Sequence, residues 1–133
     1  YYDLIILSHV IEHLDNGLDV VERLSKKLKP RGHIYIEYPS LKSLQLPSAD
    51  GSLHFCDDVT HKRLYHMMDI ANELMSNDCM IIVAKTRRSR LRIMLSPIGF
   101  VFNLFYYLFK RKIHSMLMWD ILGFAEFIIA KKK

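Results

Sequence analysis

Residues 4–7, Leu-Ile-Ile-Leu, form an apolar run with no polar alternation. That pattern suits a strand buried on both faces, as in a parallel sheet covered by helices. Ser8 and His9 stand where such a strand ends. In open α/β sheets ligands bind outside the carboxyl ends of the strands, so these two are site candidates. Leu14, Leu18, Val21, Leu24 and Leu28 follow at spacings of three and four, the stripe of an amphipathic helix. Lys29-Pro30-Arg31-Gly32 is helix-stop chemistry, because Pro cannot continue a helix and Gly tolerates a left-handed turn. Residues 33–38, His-Ile-Tyr-Ile-Glu-Tyr, read as a second strand closed by Pro39. Strand, helix, strand over residues 1–38 is a βαβ unit, which requires the two strands to run parallel.

The stretch 39–61 is too long for an ordinary connection, and Pro39, Pro47, Asp50 and Gly51 argue against regular structure. It ends in Leu53-His54-Phe55-Cys56-Asp57-Asp58-Val59-Thr60-His61, dense in titratable groups. Residues 62–86 hold a helix and a strand. Thr60 is placed to cap that helix, whose apolar face is Leu64, Met67, Met68, Ala71, Leu74 and Met75. Asn77-Asp78 is a turn, and 79–85 reads as a strand. A last strand is expected over 119–130, within the closing segment 119–133.

Between these strands lies a basic and apolar helical insertion over 87–118. Residues 1–86 carry 9 Lys/Arg against 12 Asp/Glu, whereas 87–133 carry 10 against 2, so the net charge of +5 is a local feature. Arg87, Arg88, Arg90 and Arg92 lead into 93–109, a run without a charge, which ends at Lys110-Arg111-Lys112. Spanning a bilayer takes about 20 apolar residues, and this run is shorter and broken by Ser96-Pro97, Gly99 and Asn103. Three readings remain: a lid helix packed on the domain, a homodimer surface, or an interfacial helix over 87–112 with basic flanks at anionic headgroups. Nucleic acid is disfavoured, since the aromatics are not interleaved with the basic residues. Cys56 and Cys79 make neither a disulfide framework nor a zinc ribbon, and a reducing cytoplasmic setting is expected, with peripheral membrane contact as its variant.

Residues 1–39 together resemble the second half of the core of a class I S-adenosylmethionine-dependent methyltransferase. The likeness is to the branch whose fourth strand runs into Val-Ile/Leu-Glu-His, here Val10-Ile11-Glu12-His13, followed by a helix and a Leu-Lys-Pro-Gly-Gly turn. Arg31 stands where that turn has its first Gly. The resemblance implies an α/β fold, the C-terminal part of a Rossmann-like sheet of parallel strands with an antiparallel edge pair. It implies S-adenosylmethionine as methyl donor, a small-molecule acceptor, and Ser8, His9 and Val10 beside the donor's amino-acid end. The 40–61 loop would form the acceptor-side wall. In this family the donor is gripped mainly by a Gly-rich loop after the first strand. The five Gly here (17, 32, 51, 99 and 123) include no Gly-x-Gly, so the donor-binding N-terminal half is expected to lie outside these residues.

Methyl transfer from a sulfonium is an in-line displacement, to which a protein contributes position and, for a protonated acceptor, a base. His9, His54 and His61 are the candidate catalytic bases, since an unperturbed His titrates near neutral pH. His13 reads first as a buried, hydrogen-bonded residue at a helix start, and Glu12 as a partner for that helix's free N–H groups. No metal is expected. Some relatives in the superfamily hold a divalent ion with Glu-x-x-Glu-His and a later His, and the corresponding set here would be His9, Glu12, His13 and His54. His9-x-x-Glu12-His13 also matches the inverted zinc-peptidase pattern, which requires both histidines on one helix. A non-catalytic methyltransferase-like binding module is the remaining alternative.

Overall fold

The computed structural model describes residues 1–115 and 118–133. Strand β1 (Tyr2–Ser8) pairs in parallel with β2 (Leu28–Pro39), with Ile5 opposite Ile34, Leu7 opposite Ile36 and Ser8 opposite Glu37. Helix α1 (Gly17–Ser25) connects them, as the βαβ pattern requires. Strand β3 (Cys79–Thr86) and strand β4 (Ala125–Lys132) complete a four-stranded sheet in the order β1-β2-β4-β3. β4 is antiparallel to both of its neighbours, so the reversed strand lies inside the sheet and β3 forms its outer edge.

Alternate strand residues build one core. Ile34 and Ile36 of β2 and Ile128 and Ala130 of β4 meet Val21 of α1 and Ile70 and Leu74 of helix α2 (Met67–Ser76). Ile5 and Leu7 pack against this cluster, but Leu4 and Ile6 are 55% and 61% exposed. The expected burial of β1 on both faces is therefore not met. Helices α1 and α2 cover the face that holds Ile5 and Leu7, and successive residues of a strand point to opposite faces.

Lys29-Pro30-Arg31-Gly32 is not a turn preceding β2 but a bulge within it. Tyr2 pairs with Leu28 and Leu4 with His33, so residues 29–32 loop out opposite Asp3. Leu28 accordingly belongs to the strand, not to the helix stripe. Arg31 takes a left-handed φ of 67°. A Cβ at Gly32 would lie 2.9 Å from the carbonyl oxygens of both Lys29 and Tyr2, a backbone approach that only Gly permits. A left-handed non-Gly residue costs about 1 kcal/mol, partly offset by the greater unfolded-state freedom of Gly. Arg31→Gly is expected to stabilise by about 0.5 kcal/mol, seen as a higher urea midpoint at unchanged slope. A lower midpoint would contradict the strain at this bulge.

Helix α2 starts seven residues beyond Thr60, capped by His66, whose ring Nδ1 accepts the Met68 N–H at 3.2 Å. Thr60 is already engaged with Asp58 and His13, and the N–H groups of Lys62 and Arg63 donate to the Glu12 carbonyl. These bonds hold 60–65 away from helical geometry. Tyr65, buried, accepts from the Gly17 N–H and donates to the Leu14 carbonyl. With the later start, Ile70, Ala71 and Leu74 are buried while Met68 and Met75 are exposed.

The 40–61 loop contains two short 3₁₀ turns, Leu41–Gln45 and Phe55–Asp57. Its hub is Asp57, whose carboxylate accepts from Ser48 Oγ and from the N–H groups of Ala49, Leu53 and His54. The 87–118 insertion folds as α3 (Arg90–Met94) and α4 (Ser96–Lys110), broken where Pro97 enters the first turn of α4. The strand expected from residue 119 instead begins as a helix, α5 (Met118–Leu122). Gly123 ends it at φ 74°, and the strand starts at Ala125.

Candidate functional site

The parallel register puts Ser8 beside Glu37, and the chain then turns sharply at His9, with φ 53°. Ser8 and Val10 are exposed at this rim. The His9 backbone N–H still reaches the Glu37 carbonyl at 2.9 Å, while its ring folds back between two carboxylates. Nδ1 lies 3.0 Å from Glu12 and Nε2 lies 3.2 Å from Glu37. Trp119 and Phe124 flank the ring at 5.3 and 6.3 Å between centroids.

This clamp sets the charge. Burial opposes protonation of His9, but the hydrogen bonds and charges of Glu12 and Glu37 outweigh it and push the pKa up to about 9. His9 is thus an imidazolium near neutral pH, donating from both nitrogens, and offers no free lone pair to a substrate. Burial likewise opposes ionisation of Glu37. The bonds from His9 and Tyr35, together with the Arg87 guanidinium 3.0 Å away, hold it down to about 2. Tyr35 donates to the same carboxylate, and burial with that bond pushes its phenol up to about 12.

From Glu37 the network continues through Arg87 to Asp120, 3.8 Å from Nε, which Arg92 also approaches at 3.3 Å. Glu37, Arg87, Asp120, Tyr35 and Trp119 were not singled out from sequence. The available signal was a lone carboxylate in an apolar strand, Ile36-Glu37-Tyr38, which the register sets opposite Ser8.

The other candidate histidines separate. His54 is committed to the loop, with Nδ1 accepting the Cys56 N–H and Nε2 donating to the Leu44 carbonyl. His61 donates from Nδ1 to the Phe55 carbonyl at 2.7 Å, which leaves Nε2 with its lone pair, 3.8 Å from Asp58. The His13 ring lies tilted beside that of His61, 4.9 Å between centroids, and bonds Thr60 through Nδ1.

The residues that correspond to the superfamily's divalent-ion set, His9, Glu12, His13 and His54, do not come together. Among the described residues the ligand atoms of Glu12, His13 and His61 lie within 4.8 Å of one another, with His61 in place of His54 and His9 turned to the carboxylates. Glu12 is 1% exposed, and its Oε2 has no hydrogen-bond partner among those residues. One carboxylate and two imidazoles are donors that suit Zn²⁺ better than Mg²⁺. The zinc-peptidase reading fails on geometry. His9 is left-handed and lies outside the 3₁₀ turn Ile11–His13, so no continuous helix carries both histidines.

A parallel strand pair joined by a helix, a reversed strand inside the sheet and a polar cluster at the carboxyl ends define a Rossmann-like α/β domain. The model of the methyltransferase-domain family matches residues 1–82, and the chain belongs to that family. A search of curated proteins gave no match. Among solved structures the chain is similar to a SAM-dependent methyltransferase from Archaeoglobus fulgidus, at 23% identity and TM-score 0.59, over 99% of this chain and 60% of that one. A SAM-dependent methyltransferase from Mesorhizobium loti matches at 11% identity and TM-score 0.66, over 98% of this chain and 62% of that one. Phosphoethanolamine N-methyltransferase 2 of Haemonchus contortus, in complex with S-adenosyl-L-methionine, matches at 15% identity and TM-score 0.62, over 98% of this chain and 33% of that one. The chain thus spans about 60% of the length of the first two.

Proposed function

We propose that the protein transfers the methyl group of S-adenosylmethionine to an oxygen of a small acceptor, sugar- or lipid-linked, beside the 40–61 loop. The observation that carries this reading is the His9 clamp at the carboxyl end of the parallel strand pair. Together with Arg87 it balances the charges of Glu12 and Glu37, and it fixes the turn that leaves Ser8 and Val10 exposed at the rim, where the donor's amino-acid end would lie. These residues fit that end only. The grip on the rest of the donor is assigned to residues outside this stretch, since no Gly-x-Gly occurs in it.

The bound donor supplies a methyl group already activated on a sulfonium. His9 acts as a positioning residue, its charge balanced by Glu12 and Glu37. His61 acts as the base. Its Nδ1–H is pinned by the Phe55 carbonyl, its largely buried Nε2 would take the acceptor proton, and Asp58, 3.8 Å from it, would stabilise the resulting imidazolium. His54 holds the wall of the loop in shape. The second reading, a non-catalytic module, stands if the whole polypeptide lacks a Gly-x-Gly loop.

Calorimetric titration of the 133-residue chain with S-adenosylmethionine is expected to show no micromolar affinity. In the whole polypeptide, methyl-deuterated donor is expected to label a hydroxyl-bearing acceptor, detected by mass spectrometry. His61→Ala should lower kcat by about a hundredfold or more, the size of a general-base contribution. His66→Ala, at a helix cap, should barely change it. Equal losses in the two variants, or label found only on nitrogen, would refute the reading.

A further inference from the structure

We propose that α3 and α4 dock the protein on an anionic lipid surface. Only Gly99 and Asn103 of α4 are buried. Asn103 donates to the Gly99 carbonyl and accepts from the His114 N–H at 2.7 Å, and Tyr106 donates to Asp50 at 2.7 Å. One narrow stripe of the helix therefore faces the protein. The rest is apolar and bare: Leu104 is 60% and Phe109 82% exposed, and Phe100, Phe105 and Leu108 stand out beside them. Leu91 and Met94 extend the surface along α3. Exposed aromatic and aliphatic residues this numerous on one element mark an interaction surface.

The charges select the partner. Residues 87–119 hold seven Lys/Arg and no Asp/Glu. Arg87 is spent on Glu37, Arg92 on Asp120 and Lys112 on Asp50. Arg88, Arg90, Lys110 and Arg111 are exposed and make no ion pair among the described residues. They stand at the two ends of the apolar surface, two before α4 and two at its C-terminus. An antiparallel second copy would set like charges against each other at both ends, whereas an anionic headgroup layer meets both ends favourably. No helix among the described residues is long and apolar enough to cross a membrane, so α4 lies in the interface plane with its aromatic side in the acyl boundary. This surface does not depend on the methyl-transfer reading, and its test reads no methyl transfer.

The protein is sedimented with vesicles of phosphatidylcholine alone, or with about 30 mol% phosphatidylglycerol added. Binding to the anionic vesicles is expected to be about tenfold tighter or more, falling about tenfold when salt is raised from about 0.1 to about 0.5 M. Leu104→Ser with Leu108→Ser should abolish capture by both vesicles. Arg88→Glu, Arg90→Glu and Lys110→Glu together should remove the anionic preference. Circular dichroism verifies the fold of each variant, and the wild-type comparison decides the matter if a variant unfolds. Wild type left in solution with anionic vesicles, or bound equally by neutral ones, would overturn the proposal. So would a wild-type dimer in sedimentation velocity that the serine pair dissociates while vesicle capture is nil, which would assign the surface to a second copy.

Discussion

His9→Ala is expected to destabilise the protein by about 3 kcal/mol near neutral pH, the cost of leaving a buried charge without its partner. Glu37 would keep Arg87 and Tyr35, but Glu12, 1% exposed, would lose the only hydrogen-bond partner its carboxylate has among the described residues. The pH dependence separates this mechanism from simple loss of packing. The pKa of His9 is raised from 6.5 to about 9, so its contribution is fully present below 6.5 and is lost as pH rises through about 9. The pKa of Glu37 is lowered from 4.5 to about 2, so its contribution is present above 4.5 and is lost as pH falls toward 2. The wild type should therefore be most stable between 4.5 and 6.5, with its urea midpoint declining on the alkaline side. In His9→Ala that alkaline decline should flatten. Parallel curves for the two proteins between pH 6.5 and about 9 would mean that the clamp contributes no proton-linked stability.

The parts legible in the sequence are those set by local pattern. The apolar run at residues 4–7, the helix stripe through Val21 and the β-rich 33–38 segment gave the parallel pair, because period and propensity act over a few residues. His9 was legible as a rim residue for the same reason, since its place follows from the end of a strand. Its charge was not legible. That depends on Glu37, 28 residues away, which reaches it only through strand register, and on Arg87, a further 50 residues on.

Long-range competition explains the displaced elements as well. Thr60 has ordinary N-cap chemistry, but Asp58 and His13 claim its hydroxyl first, and the Glu12 carbonyl draws out the following turn. A propensity argument cannot rank such rivals. Choosing between His54 and His61 had the same difficulty. Both lie in one dense segment, and only the loop geometry ties His54 to Cys56 and Leu44 while leaving one nitrogen of His61 free. At the chain's end, 119–130 looks β-rich throughout, yet Met118–Leu122 is helical, with the buried carboxylate of Asp120 turned to Ser89 and Arg92, and Gly123 then releases the strand.

Asp120 carries the second large effect. Its carboxylate, 1% exposed, accepts the Ser89 N–H at 2.8 Å and faces Arg92 at 3.3 Å and Arg87 at 3.8 Å. It thereby joins α5 to the start of α3 and to the arginine that serves Glu37. Asp120→Ala is expected to cost about 2 kcal/mol, less than a fully buried broken pair, because Arg92 is half exposed and can rehydrate while Arg87 keeps Glu37. The loss should be local. Few other contacts hold α3 and α4 down, so amide exchange is expected to accelerate about thirtyfold across 89–110 while 33–38 and 125–132 stay protected. Asp120→Asn, which still accepts from Ser89 but leaves Arg92 without a counter-charge and Arg87 with Glu37 alone, should fall between the wild type and Asp120→Ala. Uniform acceleration over the whole sheet in Asp120→Ala would show that this carboxylate supports the entire fold rather than the docking of α3.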